Sequence, residues 1–389
     1  MAVYKIYPEK DATIYSLFPQ MNTGIDEILE ATTTTFGVDV NPQVSRILIK
    51  YSNNDINNVI NNVIGSLENL GEVKIKNFIA TAEGLNEDTS LEIYPISGSW
   101  SMGTGKYLDD PITTNGTSWI WRTLSGSSRW KVNNFTPVDF VTGSWDPTGT
   151  AGGCNWWIKD PQTSQSISIS QTINYSSNKD LSSNVTSVVK AWYSASNSIN
   201  NGGNEMVNEG FVIKQSNSNE FIFNEFKATE LKYFSIDTNT IYPPQLEFKW
   251  RDYIFNTGSS SNIIINTKNL VATLADNPET FRSGSIYDFR INCRPKFPQR
   301  VFQTASLYTT NYYLPTASYY AVKDLDTNEF VIDFDTTYTQ ISADSESSYF
   351  TLYMNGLEPE RYYQILIKTQ VGRNTLILDD NYYFKVING

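Results

Sequence analysis

Two groups of carboxylates are the residues in this chain whose types and spacing come nearest to chemistry. Asp109 and Asp110 are adjacent and precede Pro111. A glycosidase holds two carboxylates across a sugar from separate positions, roughly 5–10 Å apart. Neighbours on one turn do not meet that need, and a solvated turn before proline is the expected role. Asp324, Asp326, Asp333 and Asp335 form the second group. Oxygen-only calcium sites draw on such residues, but the spacing of a calcium-loop motif is missing. No metal is expected.

The 389 residues include no histidine. That excludes Ser-His-Asp and Cys-His nucleophilic machinery and every His-ligated metal site. The two cysteines, Cys154 and Cys293, lie far apart and make no disulfide framework. Two free thiols are expected, a single bridge between them being the alternative. No glycine-rich phosphate loop, cysteine metal cluster or catalytic-serine motif occurs. The expectation is a protein with no catalytic residue and no cofactor.

The formal net charge is −12 and no long basic run is present. Phosphate-mediated binding of nucleic acid is therefore not expected. No window approaches the ~18 apolar residues of a membrane span. The first residues lack the basic start and apolar run of a secretory signal.

Tryptophan is the remaining candidate for function. Seven of the nine lie between residues 97 and 160: Trp100, Trp119, Trp121, Trp130, Trp145, Trp156 and Trp157. This segment is rich in Gly, Ser and Thr and has weak periodicity. Its rings either pin a long loop to the core or stand outward. Exposed indoles stack on sugars or anchor protein interfaces. Trp119, Trp121, Trp130, Trp156 and Trp157 are the candidate binding set.

The elements that must position these residues are mostly strands. Hydrophobic residues make up 40% of the chain, aromatics 14% and charged residues only 18%, while Asn, Ser and Thr abound, a balance that suits strands and turns. Residues 45–51 are apolar in both parities, which predicts a buried central strand. Residues 245–250 alternate, which predicts a sheet with one wet face. Other strands are expected near 4–7, 11–15, 27–31, 72–80, 90–95, 165–175, 211–215, 220–223 and 232–236, with a turn at Pro8. Two helices interrupt them. Val185, Val188, Val189 and Trp192 fall at helical spacing, with a cap among residues 182–184. They predict about two turns packed across a sheet, with Trp192 structural. Residues 55–70 predict a second helix of three to four turns, started by Asp55 and closed by Gly71.

Residues 1–252 are expected to form one β-sandwich, 253–262 a linker, and 263–389 a smaller sandwich. In the second, Tyr363 opens a strand after the Pro359 corner. This resembles the tyrosine corner of fibronectin type III and immunoglobulin-like domains, with Tyr363 inward beside Ile365 and Ile367, and Tyr362 outward.

Several segments of the first ~250 residues share an order with a known family. They are Asp11-Ala12-Thr13-Ile14-Tyr15, Asn22-Thr23-Gly24, the Arg46 strand, Trp100, Trp119-Ile120-Trp121, the helix ending at Trp192, Asn208-Glu209-Gly210-Phe211, and Pro244 to Phe248. Together they resemble the DNRLRE domain, a jelly-roll-like β-sandwich. The chain departs from it in the inserted 55–70 helix and at Ser235-Ile236-Asp237, which lacks the basic residue usual after Ser. Residues 116–130 and 149–157 are similar to versions carried by bacteriophages. The resemblance implies an extracellular setting: cell surface, polysaccharide-associated enzyme, or phage particle. A virion protein is made in the host cytoplasm and needs no export signal. It implies a non-enzymatic virion component of the tail, neck, fibre attachment or capsid surface. Its partners would be other virion proteins and copies of itself in a symmetric particle. The alternative is a carbohydrate-binding module or host-glycan adhesin using the tryptophan set.

Overall fold

The run from Ser45 to Tyr51 becomes the strand Gln43–Tyr51, buried along nearly its whole length. A strand apolar on both faces must be covered from both sides, and the larger part of the protein is arranged to do so. The computed structural model describes residues 2–35, 43–85, 88–123, 128–130, 140–142, 152–197, 205–220, 228–258, 262–275, 278–297 and 310–388. The fold is all-β, built of curled antiparallel sheets in sandwich-like arrangement with a few short helices.

Two compact units divide the chain. The larger is Ile6–Leu67 with Glu72–Glu247; the smaller is Phe248–Gly389 with Met1–Lys5 and Glu68–Gly71. The division falls within the strand Gln245–Trp250. Residues 259–261 of the expected linker lie outside the described residues.

An eight-stranded antiparallel sheet organises the larger unit. Its order is Ile169–Ile173, Thr89–Pro95, Phe211–Gln215, Gln43–Tyr51, Ile28–Thr34, Ala228–Phe234 and Ile79–Glu83, with Pro8–Tyr15 paired to Gln43–Tyr51 off this path. Along Gln43–Tyr51, residues 47 and 49 share a face with Phe211 and Ile213 across the ladder. The helix Thr186–Asn197 meets that core: Val188, Val189 and Trp192 are buried, and the Trp192 ring lies 4.6 Å from Phe211. At 12 residues it is longer than the two turns predicted. Asn184 starts it, its side-chain oxygen accepting from the Thr186 N–H at 3.0 Å, which matches the expected cap.

Four sequence expectations are corrected. The 55–70 helix is shorter: Ser52, not Asp55, caps it, and Asn53–Asn58 continues as π-helical turns over Val59–Ile64. Gly65, at φ 89°, ends it well before Gly71, in a conformation that costs glycine nothing. Gln245–Trp250 has no wet face, since Gln245 and Glu247 are buried with their apolar neighbours; Glu247 is held by the Lys76 ammonium at 2.6 Å. Asn217–Glu220 is a single helical turn where a strand from Glu220 was expected, and residues 221–223 lie outside the described residues. Pro8 is inside the strand Pro8–Tyr15 rather than at a turn.

The smaller unit is a two-sheet β-sandwich. One sheet orders Leu270–Ala275, Ile286–Pro295, Ser348–Tyr353 and Ser342–Ala343; the other orders Thr280–Arg282, Asn374–Ile387, Tyr362–Val371, Ser318–Asp324 and Phe330–Ile332. The strand Asn374–Ile387 runs the length of this sheet, with an irregularity opposite Gln364 to Leu366. Thr280–Arg282 joins it in parallel, too short to signal itself in sequence. Aromatic rings join the sheets: Tyr320 stacks on Phe350 at 4.2 Å, and Phe350 on Phe289 at 5.4 Å.

Tyr363 is buried, and its hydroxyl donates to the Glu358 carbonyl at 2.9 Å, tying the strand to its entry corner. Tyr362 is 51% exposed, and Ile365 and Ile367 are buried on the Tyr363 side. Tyr363→Phe removes that bond and should lower the smaller unit's stability by about 1 kcal/mol, the net worth of an intramolecular hydrogen bond. Urea unfolding of the two proteins measures it.

Candidate functional site

The strand positions that face away from the Trp192 helix carry the polar exceptions. Val44, Arg46 and Leu48 alternate there, opposite Ile14 and Ala12 of Pro8–Tyr15. Lys214 and Glu92 pair across Phe211–Gln215 and Thr89–Pro95. This face is covered by the tryptophan-bearing segment. Trp100, Trp119, Trp130 and Trp156 are buried in one cluster with Ala12, Ile14, Val44, Leu48, Ile96, Cys154 and Val212. The indole N–H of Trp100 donates to the Glu209 carbonyl at 2.8 Å, and that of Trp130 to the Ser118 carbonyl at 3.0 Å.

The exposed aromatic platform is therefore absent for three of the five candidate rings. Trp119, Trp130 and Trp156 are core, while Trp121 and Trp157 are half-buried. The Arg129 guanidinium covers the Trp121 ring at 4.6 Å. Trp145 lies outside the described residues. The physical reason is area: a sheet buried on both faces needs large rings to close it.

Arg46 stands at the centre of the covered face with none of its side chain exposed. Its Nε and Nη2 donate to the two carboxylate oxygens of Glu220 at 3.1 and 2.6 Å, and its Nη1 to the Gly153 carbonyl at 2.5 Å. The guanidinium also lies 4.8 Å from the Trp119 ring and 5.4 Å from Trp156. Lys214, equally buried, sits 3.5 Å from Glu220 and 3.2 Å from Glu92. It also donates to the Gln215 carbonyl and to Asn217 at 2.6 and 3.0 Å. Burial lowers the Lys214 ammonium from its ordinary value, Glu220 opposing. Two cations and two carboxylates thus neutralise one another inside the fold. Among the described residues, each charge of the cluster lies beside one of opposite sign.

Asn22 fixes the start of the same segment. Its amide donates to the Met102 and Thr117 carbonyls at 2.6 and 2.8 Å, and its oxygen accepts from the Gly24 and Gly105 N–H groups at 3.2 and 2.9 Å. Gly103, at φ 84°, leaves no room there: a Cβ would sit 2.2 Å from the Asn22 side-chain oxygen.

The sequence-flagged carboxylates do not converge on a reaction centre. Asp109 accepts from the Lys106 N–H at 2.7 Å and from the Thr113 hydroxyl at 3.3 Å, in the turn expected for it. Asp324 accepts from Arg361 Nε and Nη2 at 2.6 and 2.8 Å. Burial works to raise its carboxyl, but the Arg361 bonds hold it below the ordinary value. Among the described residues no group of three metal-ligating side chains comes together. Cys154 and Cys293 are unpaired, and burial pushes the Cys293 thiol up to about 12.

A buried acid that sequence reading did not single out for its charge is Asp11. Its carboxylate accepts from the Ile236 N–H at 2.8 Å. Burial pushes it up to about 8; the Ile236 bond opposes this, and Asp237 and Asp26 add to it.

One open concavity was also not anticipated. Gln43–Tyr51 pairs with Ile28–Thr34 only at residues 43 and 44, and with Pro8–Tyr15 from Ser45 onward. Where these partners fork lies a cleft of about 180 Å³. Its lining comes from five separated segments, around residues 15–18, 30–34, 43–44, 107 and 230–232. No local motif could announce it.

No protein-family model and no curated protein matches this chain. What the fold defines is an all-β protein of two units whose candidate chemistry is largely internal framework. Among the described residues, no helix is long and apolar enough to cross a membrane.

Two measurements follow from the buried charges. Glu220→Leu removes the carboxylate that Arg46 and Lys214 share and should cost the larger unit about 3–5 kcal/mol. The double variant Arg46→Met, Glu220→Leu should recover much of it, since an apolar pair has no charge to desolvate. Tryptophan fluorescence in urea reads both. For Asp11, the unfolded carboxyl loses its proton near pH 4 and the folded one near pH 8. Between those values the folded state binds the extra proton, so stability falls as pH rises across the window and levels off above it. Asp11→Asn should remove that slope when unfolding is compared at pH 5 and pH 8.5.

Proposed function

We propose that the chain is a non-enzymatic structural protein of a bacteriophage particle, working through protein–protein contacts at the tail, neck, fibre attachment or capsid surface. One observation carries this reading. The residues on which the DNRLRE resemblance rests are tied into one sandwich as framework. Asp11, Asn22, Arg46, Trp100, Trp119 and Asn208 are all buried, and each holds backbone or a buried partner. Asn208, for example, donates to the Tyr51 carbonyl at 2.9 Å and accepts from the Gly210 N–H at 3.0 Å. Such residues support a scaffold that is touched rather than one that reacts.

Closed assemblies present the same patch many times, so partner copies would follow the symmetry of the particle. The virion would then be its location, with synthesis in the host cytoplasm. The alternative, a glycan adhesin built on the tryptophan set, keeps only Trp121 and Trp157 as part-exposed rings.

Gold-labelled antibody against the chain, applied to gradient-purified particles of the phage that encodes it, should decorate one region of the particle. A chain found only in the soluble lysate, with particles unlabelled and lacking its peptides by mass spectrometry, would overturn the proposal.

A further inference from the structure

The cleft at the strand fork combines two kinds of lining that seldom meet on an idle surface. One wall is aromatic. Tyr107 is 43% exposed, and its ring packs on Tyr15 at 5.0 Å and edge-on against Phe18 at 6.2 Å. Its backbone is fixed by an N–H donated to the Asp26 carboxylate at 2.9 Å. The other wall is polar. Glu30 and Thr32 lie opposite Lys232 and Glu230 in the antiparallel register. Lys232 bridges the two carboxylates at 3.5 Å to Glu30 and 3.1 Å to Glu230, all three part-exposed.

A second observation lies in the aromatic wall. Tyr15 is more than nine-tenths buried, yet its hydroxyl lacks a hydrogen bond of standard geometry, with the Thr13 side chain as a weak polar neighbour. Buried hydroxyls are ordinarily satisfied. Tyr15 is at the same time one of the residues that line the cleft.

We propose that this cleft binds one uncharged sugar ring. The volume of about 180 Å³ equals that of roughly six liquid waters. It is below the ~300–1,000 Å³ of drug-sized pockets, so it admits a single ring, such as the end of a glycan, and not an extended oligosaccharide. The C–H face of a pyranose packs against Tyr107, because an aromatic ring offers rigid apolar area. Its hydroxyls donate to Glu30 and Glu230 and accept from Lys232 and Thr32, charge-assisted bonds being the strong ones. Two carboxylates against one ammonium give the cleft a net negative charge, which disfavours anionic sugars. An apolar peptide side chain would desolvate these charged groups and offer them no hydrogen bond in return.

This site is separate from the tryptophan set, and it does not depend on where in a particle the chain resides. Saturation-transfer-difference NMR on the full chain tests it, with the methyl glycosides of glucose, galactose, mannose and N-acetylglucosamine as probes. N-acetylneuraminic acid is the anionic control. At least one uncharged probe should show transfer, strongest at its ring C–H protons. Tyr107→Ala and Glu230→Gln, both at part-exposed positions, should each weaken binding about tenfold or more. Trp121→Ala should leave it unchanged. Absence of transfer to all four glycosides, transfer undiminished in either cleft variant, loss in Trp121→Ala, or a dominant signal from N-acetylneuraminic acid would each overturn the proposal. None of these results touches the immunogold outcome, so the two readings fail separately.

Discussion

The contact on which the larger unit depends is the buried pairing of Arg46 with Glu220. A guanidinium with no exposed surface is tolerable only if its donors are met and its charge is balanced nearby. Here two carboxylate oxygens and the Gly153 carbonyl meet the donors, and the Trp119 and Trp156 rings approach the cation. Each of these partners arrives from a different part of the chain. The strand Gln43–Tyr51 supplies the cation, the turn Asn217–Glu220 the anion, and the tryptophan segment the carbonyl and the rings. An arrangement of this kind forms only when all three have docked. It therefore specifies the docked arrangement more than it stabilises it, since an apolar filling of the same volume is often as stable.

That constraint explains the tryptophan segment. With Gly, Ser and Thr abundant and little periodicity, its described residues form short ladders. Large indoles bury area against the sheet, and Asn22 hydrogen-bonds two of the segment's carbonyls and a Gly105 N–H. Loops of this length are commonly functional or disordered. The covered part of this one instead completes a core. In the smaller unit the sheets are joined by stacked aromatic side chains from regular strands. The two units show two routes to the same end, one by an irregular cover and one by facing sheets.

Function then falls to what the core does not consume. The pair at Asp109 and Asp110, the aspartates around Asp324 and the buried tryptophans are occupied by turns, arginine and packing. The open cleft is the exception, since its carboxylates, ammonium and Tyr107 remain within reach of solvent. It is compatible with a protein that meets partners by shape elsewhere on its surface, because a single-ring site occupies little area.

The sequence by itself determined a good deal. Composition and alternation were enough for an all-β protein, the two-faced apolar run of residues 45–51 marked the central strand, and the spacing of Val188, Val189 and Trp192 marked the packed helix. The Pro359 corner predicted that Tyr363 points inward, where its hydroxyl meets the Glu358 carbonyl. These signals are local, carried by neighbours within a few residues. Tertiary structure alone decided which polar residues were framework. Whether Arg46 would be a surface cation or a buried tie depended on Glu220, 174 positions away. Whether the tryptophans would face sugars or the sheet depended on which face the helix had left uncovered. The cleft exists only because two strands share one edge of a third and then diverge, and spacing along the chain does not encode that divergence.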